Sequence, residues 1–362
     1  GRIFTFLMVS IFFGTVSVLT GKDAGFYLGF LVISVPPILL YPTLRNGLIF
    51  VGFFVLCLLC SIYANINYLP PCIIPPPMSM VIYLINLFMV LFVTLDVVFI
   101  FKSELNESRA ILTEKNKEIV DSINYARKIQ YTLLAHDELL EKNLSEHFVL
   151  FKPKSIVSGD FYWATKKDNL FYLAICDSTG HGVPGAFMSL LNISFLNEAI
   201  TEKNILEPHA IFNHARTRLI ENLGKDGQKD GFDGILLCFN KASNTITYSA
   251  ANNSPILFSN NAITELEKDK MPVGVGEKTQ EFKSHKINYK SGDTLYLYTD
   301  GYADQFGGPK GKKFRYKALN ELLQTVSSKP LNEQKEILDK TFEDWRGKLE
   351  QVDDVCIIGI KI

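Results

Sequence analysis

The sequence predicts an α+β domain that follows an all-α, strongly apolar N-terminal region, with a charged helical segment between them. Three observations carry this. Short segments rich in aromatic and β-branched residues stand at both ends of the last two-thirds of the chain, with helical patterns between them. The first 101 residues hold only Arg2, Lys22, Asp23, Arg45 and Asp96 as charged side chains. Apolar residues, mostly leucine, then recur every seventh residue over 102–144. The expected organisation is a transmembrane region over 1–101, a helical signalling linker over 102–144 and a folded domain over 145–362.

Four apolar runs in the first region approach the roughly 20 residues that span a bilayer. They are 3–20, 26–44, 48–63 and 78–101, and only the last contains a charge, Asp96. A signal peptide would account for one such run, not four. Pro36-Pro37 is expected to kink the second. Arg2, Arg45 and Lys102 fall on one side of a four-span arrangement, and Lys22 and the loop around Pro70 fall on the other. The excess of positive charge directs the N-terminus and everything after Phe101 to the cytoplasm, so a multi-pass inner-membrane protein is expected. Asp96 is either an intramembrane functional carboxylate or a side chain reaching the interface. The six cysteines form no framework. Cys57 and Cys60 lack a second pair or a histidine partner, and Cys176, Cys238 and Cys356 lie in apolar strand-like segments as reduced, buried thiols.

In the linker, Leu105, Leu112, Ile119, Ala126, Leu133 and Leu140 make one seam of a coiled coil. The companion seam, Arg109, Asn116, Ile123 and Gln130, is polar. That pattern suits a marginal parallel homodimer, or a stalk lying on the folded domain. The 37 basic and 38 acidic residues leave a net charge of −1, which argues against a nucleic-acid partner.

In the folded domain, strands are expected over 148–153, 161–165, 171–176, 235–240, 245–250, 255–259, 294–299 and 355–362. Helices are expected over 183–203, 208–223, 317–326 and 331–349. Aspartates mark several strand ends. Asp160 opens one, Asp177 and Asp300 close two others, and Asp353 and Asp354 precede the last. A carboxylate beside an apolar strand is unfavourable unless it meets solvent or a cation. All-oxygen donors without a Cys/His cluster favour magnesium or manganese over zinc. A water activated between two such metals would replace a side-chain nucleophile. His181, in Gly180-His181-Gly182 at a helix start, reads either as a general acid or as a capping residue. No Gly-Lys-Ser/Thr follows it, which excludes a nucleotide P-loop.

An ordered series of motifs makes this pattern specific. Ser158-Gly159-Asp160-Phe161-Tyr162-Trp163 and Asp177-Ser178-Thr179-Gly180-His181-Gly182-Val183-Pro184-Gly185-Ala186 come first. Ala251-Asn252-Asn253, Met271-Pro272-Val273-Gly274, Gly292-Asp293-Thr294-Leu295, Tyr298-Thr299-Asp300-Gly301 and Asp353-Asp354-Val355 follow. Together they resemble the SpoIIE-like branch of the PPM serine/threonine phosphatases, from residue 148 to the end of the chain. The resemblance implies an αββα sandwich holding two manganese or magnesium ions. It implies that Asp177 bridges them, that the Ser178 carbonyl binds one, and that Asp160, Asp300 and Asp353 complete the set. It implies hydrolysis of phosphoserine or phosphothreonine on a small regulatory protein, typically an anti-sigma-factor antagonist, in a bacterium. Two positions depart from the family pattern: Trp163 stands where many members have Asp, and Cys356 where Thr is usual. The competing reading is a catalytically inactive module that binds a phosphoprotein or acts as a signalling scaffold. A transporter with a cytoplasmic accessory domain ranks below both.

Overall fold

The computed structural model describes residues 16–17, 19, 44–67, 75–224, 230–278 and 280–362. The chain divides into two units, Gly1–Lys117 and Glu118–Ile362. The expected spans 3–20 and 26–44 lie, apart from a few residues, outside the described residues, as do Cys72 and the side chain of Asp96. The other two fall in helices α1 (Leu44–Asn67) and α2 (Pro76–Leu133). Large apolar side chains on both helices stand exposed, among them Leu56, Leu59, Phe88, Leu95 and Phe99. Among the described residues, one helix is both long and apolar enough to cross a membrane, Gly182–Glu202, and half of it is buried in the second unit. It is a core helix that passes the same compositional test.

The helical linker differs from its heptad expectation. Helix α2 ends at Leu133, and a separate helix α3 runs over Asp137–Asn143. The break has a tertiary cause. Leu134, Ala135 and Leu140 are buried in the second unit, and the Ala135 amide donates to the Tyr162 carbonyl. Leu140 therefore fills a core and not a coiled-coil seam, while Leu105, Leu112 and Ile119 remain exposed on α2.

The second unit is built on two antiparallel sheets. Strands β1 (Glu146–Lys152), β2 (Asp160–Lys167) and β3 (Leu170–Ser178) are followed by helices α4 (Gly182–Asn197) and α5 (Pro208–Leu223). Pro208 begins α5, where its missing N–H has no partner to lose. Then come β4 (Gly231–Asn240), β5 (Thr245–Ala251), β6 (Ile256–Ser259), β7 (Ala262–Glu265), β8 (Val273–Gly274), β9 (His285–Ile287) and β10 (Thr294–Tyr298). The chain closes with α6 (Gly301–Asp304), the β11–β12 ribbon (Phe306–Gly307, Lys312–Lys313), α7 (Tyr316–Val326), α8 (Leu331–Arg346) and β13 (Val355–Lys361). One sheet has the order β1-β13-β10-β6-β7 and the other β2-β3-β4-β5-β9, with β8 paired to β4.

Strand alternation decides the layers. On β3, Phe171, Leu173 and Ile175 face the other sheet, while Tyr172, Ala174 and Cys176 face α4 and α5. On β13, Cys356, Ile358 and Ile360 face inward, while Val355 and Ile357 meet Leu319, Leu323, Leu338 and Phe342 of α7 and α8. Helices, sheet, sheet and helices thus stack as four layers, the αββα order that the motif series implied. Cys176, Cys238 and Cys356 are free, buried thiols, as expected.

Candidate metal and catalytic centre

Register brings the first carboxylates together. In the antiparallel ladder Asp160 of β2 stands opposite Asp177 of β3, and Asp177 stands opposite Asp233 of β4. Directly opposed residues point to the same face. That face also carries Ile175 and Ile235, so the three carboxylates sit at one end of the layer between the sheets. The second sheet ends at the same place: Asp300 follows β10, and Asp353 and Asp354 precede β13. The Asp177 carboxylate contacts those of Asp160 and Asp300, and it feels the charges of Asp353 and Asp233.

Such crowding shows in the protonation. Burial, then the Asp177 charge, holds the Asp160 carboxyl well above the usual range. Burial, then Asp300, pushes Asp177 up to about 8. Burial, then Asp353, pushes Asp300 up to about 6. Asp233 is raised by burial, while the Asn252 side-chain amide, donating at 2.8 Å, opposes the rise. Four carboxyls raised in one place are an unfavourable assembly that bound positive charge would relieve.

Neighbouring residues fix the geometry. The Thr299 hydroxyl donates to Asp160 at 2.6 Å and accepts from the Cys356 amide at 3.0 Å. Asp354 does not face the cluster as a free ligand. Its two oxygens accept the amides of Lys154 and Gly159, both at 2.7 Å, and so pin the turn that delivers Asp160. Asp353 is half-buried, and one oxygen accepts the Asp354 amide at 2.9 Å.

An open cavity of about 360 Å³ lies over the cluster, lined by Asp177, Ser178, His181, Asp233, Pro272 and Asp353 among others. His181 occupies the N-cap position of α4, exposed, with no side-chain capping bond. The capping reading of this histidine is therefore not observed. A larger cavity of about 620 Å³ at the opposite end of the sandwich is lined by Lys241, Lys286 and Lys361 among others, with no Asp or Glu among its described lining residues.

The site residues expected from sequence are thus gathered in one place: Asp177, Ser178, Asp353 and the exposed His181 line the cavity, and Asp160 and Asp300 stand beside Asp177. Trp163 removes no ligand. It shares a face with Phe161, opposite to Asp160, and is buried in the core under α4. Cys356 packs between the sheets, and its backbone amide serves the cluster through Thr299. Sequence reasoning missed Asp233. Its signal was a carboxylate lodged in the apolar run Phe232 to Phe239, which is as unfavourable as one at a strand end.

The donor set fits hard divalent cations. The acidic side chains gathered here, Asp160, Asp177, Asp233, Asp300 and Asp353, are oxygen donors, the preference of magnesium or manganese. Among the described residues, no three His, Cys, Asp or Glu side chains form a ready-spaced cation cage.

Comparison with known proteins agrees with this architecture. The chain is 23% identical over 191 residues to phosphoserine phosphatase RsbU of Bacillus subtilis (strain 168), a match covering 52% of this chain and 55% of that protein. It therefore spans about half the length of the curated relative it matches. Among solved structures it resembles the SiaA-PP2C domain of Pseudomonas aeruginosa, with a TM-score of 0.63 and 29% identity, covering 68% of this chain and 98% of that one. It also shares its fold with the PP2C phosphatase domain and regulatory fragment of SpoIIE from Bacillus subtilis, with a TM-score of 0.50 and 16% identity, covering 60% and 63% of the two chains. Residues 167–362, more than half of the chain, match the family described as Stage II sporulation protein E (SpoIIE), and the chain belongs to that family, with the mixed α/β fold of PP2C-type phosphatases.

Proposed function

We propose that this protein is a membrane-anchored, metal-dependent serine/threonine phosphatase that acts on a phosphorylated regulatory protein. The observation that carries the reading is the convergence of five aspartates from both sheets: Asp177, Asp233 and Asp353 line one open cavity, and Asp160 and Asp300 stand beside Asp177. Kinship with a phosphoserine phosphatase supports the reaction class. Asp160, Asp177, Asp300, Asp353 and the Ser178 carbonyl would hold two divalent cations, with Asp233 adding negative charge beside them. When bound, those cations supply an acidified water and neutralise the phosphoryl oxygens. The chain's own residues do the rest. The carboxylates fix the cation positions, Thr299 and Asp354 hold Asp160 and its turn, and His181 at the cavity mouth can deliver a proton to the leaving seryl oxygen. The substrate is assigned as an anti-sigma-factor antagonist, from the kind of regulatory system in which the family works.

The test is phosphate release by the purified full chain from p-nitrophenyl phosphate and from a phosphoserine peptide. Turnover is expected with manganese or magnesium and none with chelator. Folded protein that stays inert in every divalent metal would sink the reading and favour the inactive-scaffold alternative.

Anchoring is supported by the exposed apolar side chains of α1 and of the first half of α2, and by the near absence of charge before Lys102. In this reading the catalytic unit lies on the cytoplasmic face of the inner membrane. A homodimer along α2 is supported by Leu105, Leu112 and Ile119, exposed at heptad spacing. Retention in the membrane fraction after a carbonate wash, and cross-linking of Leu112→Cys, are the expected results. Release by the wash contradicts the anchor, and a monomer that does not cross-link contradicts the dimer.

A further inference from the structure

Gln130 is a buried polar residue with an unusual set of partners. It lies in the last turn of α2 and is 1% exposed. Its side-chain amide pairs with both backbone groups of a single residue, accepting from the Ser158 amide at 3.1 Å and donating to the Ser158 carbonyl at 2.6 Å. The same nitrogen also donates to Ser189 Oγ at 2.8 Å. Ser189 is itself fully buried on α4 and donates to the Ala186 carbonyl, so its oxygen is free to accept. All the partners lie within the second unit.

Ser158 stands two residues before Asp160. Its neighbour Gly159 is held by Asp354, and the Asp160 carboxylate is held by Thr299. The Ser178 amide also donates to the Gly159 carbonyl at 3.3 Å, and among these restraints on the turn that presents Asp160, Gln130 supplies the one that comes from α2. One turn further along α4, Asn192 donates to Ser178 Oγ at 3.0 Å. Helix α4 is therefore tied to both ligand-bearing turns, to 158–160 through Gln130 and to 177–178 through Asn192.

We infer that Gln130 is a positioning residue for the metal centre: it fixes the Ser158-Gly159-Asp160 turn against α4, so that Asp160 is held where a cation needs it. The inference rests on the phosphatase reading. It also accounts for the polar seam of the heptad, since the side chain at 130 is committed to the catalytic unit. Without it, the Ser158 amide would be buried and unpaired, and its carbonyl would keep only the long 3.5 Å contact from Ser189 Oγ. The turn could then pair its backbone groups only by moving, and Asp160 would move with it.

The experiment compares full-length wild type, Gln130→Met, Ser189→Ala and Ile129→Ala. Ile129 is exposed on the same helical turn and serves as the control. The readouts are manganese affinity by titration calorimetry and amide hydrogen exchange of peptides covering 155–163. Gln130→Met should weaken manganese binding about 10-fold or more, the usual size for a lost outer partner of a ligand, and should speed exchange in 155–163. Its turnover should recover when manganese is raised to saturation. Ser189→Ala, which leaves the Ser158 pair intact, should shift affinity in the same direction by about 2- to 3-fold. Ile129→Ala should change neither readout. Parental affinity and parental exchange in Gln130→Met overturn the inference. So does a Gln130→Met protein that loses protection throughout the sandwich while Ser189→Ala binds manganese as wild type does, because the role is then structural only. Failure of wild type itself to bind manganese removes the phosphatase reading and this inference together, an outcome distinct from the others.

Discussion

Asp177→Asn is expected to abolish turnover and, in the same molecule, to raise the stability of the metal-free fold. The two effects share one cause. Asp177 is pushed up to about 8 by burial and by Asp300, with Asp353 and Asp233 adding to the rise. A carboxyl whose folded pKa lies above its unfolded value binds its proton more tightly when folded. Folding is then favoured below the unfolded value near 4, and that advantage is lost as pH rises towards 8. At pH 8 in chelator the charged group opposes folding by on the order of a few kcal/mol. Asparagine carries no charge to desolvate or repel. The variant should therefore match wild type at pH 4 in chelator and melt about 5 °C or more above it at pH 8.

Divalent metal should reverse that order. A cation that binds only the folded state adds stability that grows with its concentration over its dissociation constant. Wild type should gain this at pH 8 in manganese, and Asp177→Asn should not. Phosphate release should fall at least ~1000-fold, the scale expected when charge stabilisation at the reacting phosphorus is lost. Thermal unfolding in chelator and in manganese, at both pH values, checks all of this with one protein pair. An asparagine variant no more stable than wild type at pH 8 without metal would mean that the carboxylates do not repel one another as their packing requires.

What the sequence disclosed, and what it withheld, follows from where each signal resides. Strands such as β3 and β13 were legible because a continuous apolar run rich in aromatic or β-branched residues is a local pattern, and α5 because Pro208 marks its start. The aspartates at strand ends were legible one by one, but their meeting in space came from the order of the motifs and not from spacing. Strands β8 and β9 escaped because two or three residues carry no period; they are strands only because β4 and β5 pair with them. The heptad ran on through Leu140, yet the helix stops at Leu133, since burying Leu134 and Leu140 in the domain outweighs continuing a surface helix. Asp233 was overlooked, and Gln130 was read only as a polar seam position, for a common reason. Each is a polar residue inside an apolar or helical pattern, and only the partner across the fold reveals its purpose. Trp163 shows the converse. Its place in the family pattern, where many members have Asp, suggested a role at the site, but strand alternation turns the position away.

Gly159→Ala is expected to disable the centre without removing any ligand. A methyl group on Gly159 would stand 2.3 Å from the Gly180 carbonyl oxygen and 3.2 Å from that of Ser178. One on Gly185 would stand 2.2 Å from the same Gly180 oxygen. Both obstacles are backbone, so no side chain can rotate out of the way. The glycines let the turn bearing Asp160, the turn after Asp177 and the first turn of α4 touch, and the Ser178 amide donates to the Gly159 carbonyl across that contact at 3.3 Å. Alanine at 159 must push the two ligand-bearing turns apart. Overpacking of this kind costs about 1–3 kcal/mol of stability, and displacement of a reacting group by about 1 Å costs about 100-fold in rate. Manganese affinity and turnover should each fall by about 100-fold or more. Gly311→Ala is the matched control. Gly311 has φ +57 with nothing within 4 Å of an added methyl, so alanine there should lose about 1 kcal/mol of stability and no activity. Urea unfolding, manganese titration and phosphate release on the two variants separate the effects. If Gly159→Ala keeps parental manganese affinity and turnover, the two turns do not need the close approach seen between them, and the holds from Gln130, Thr299 and Asp354 suffice for Asp160.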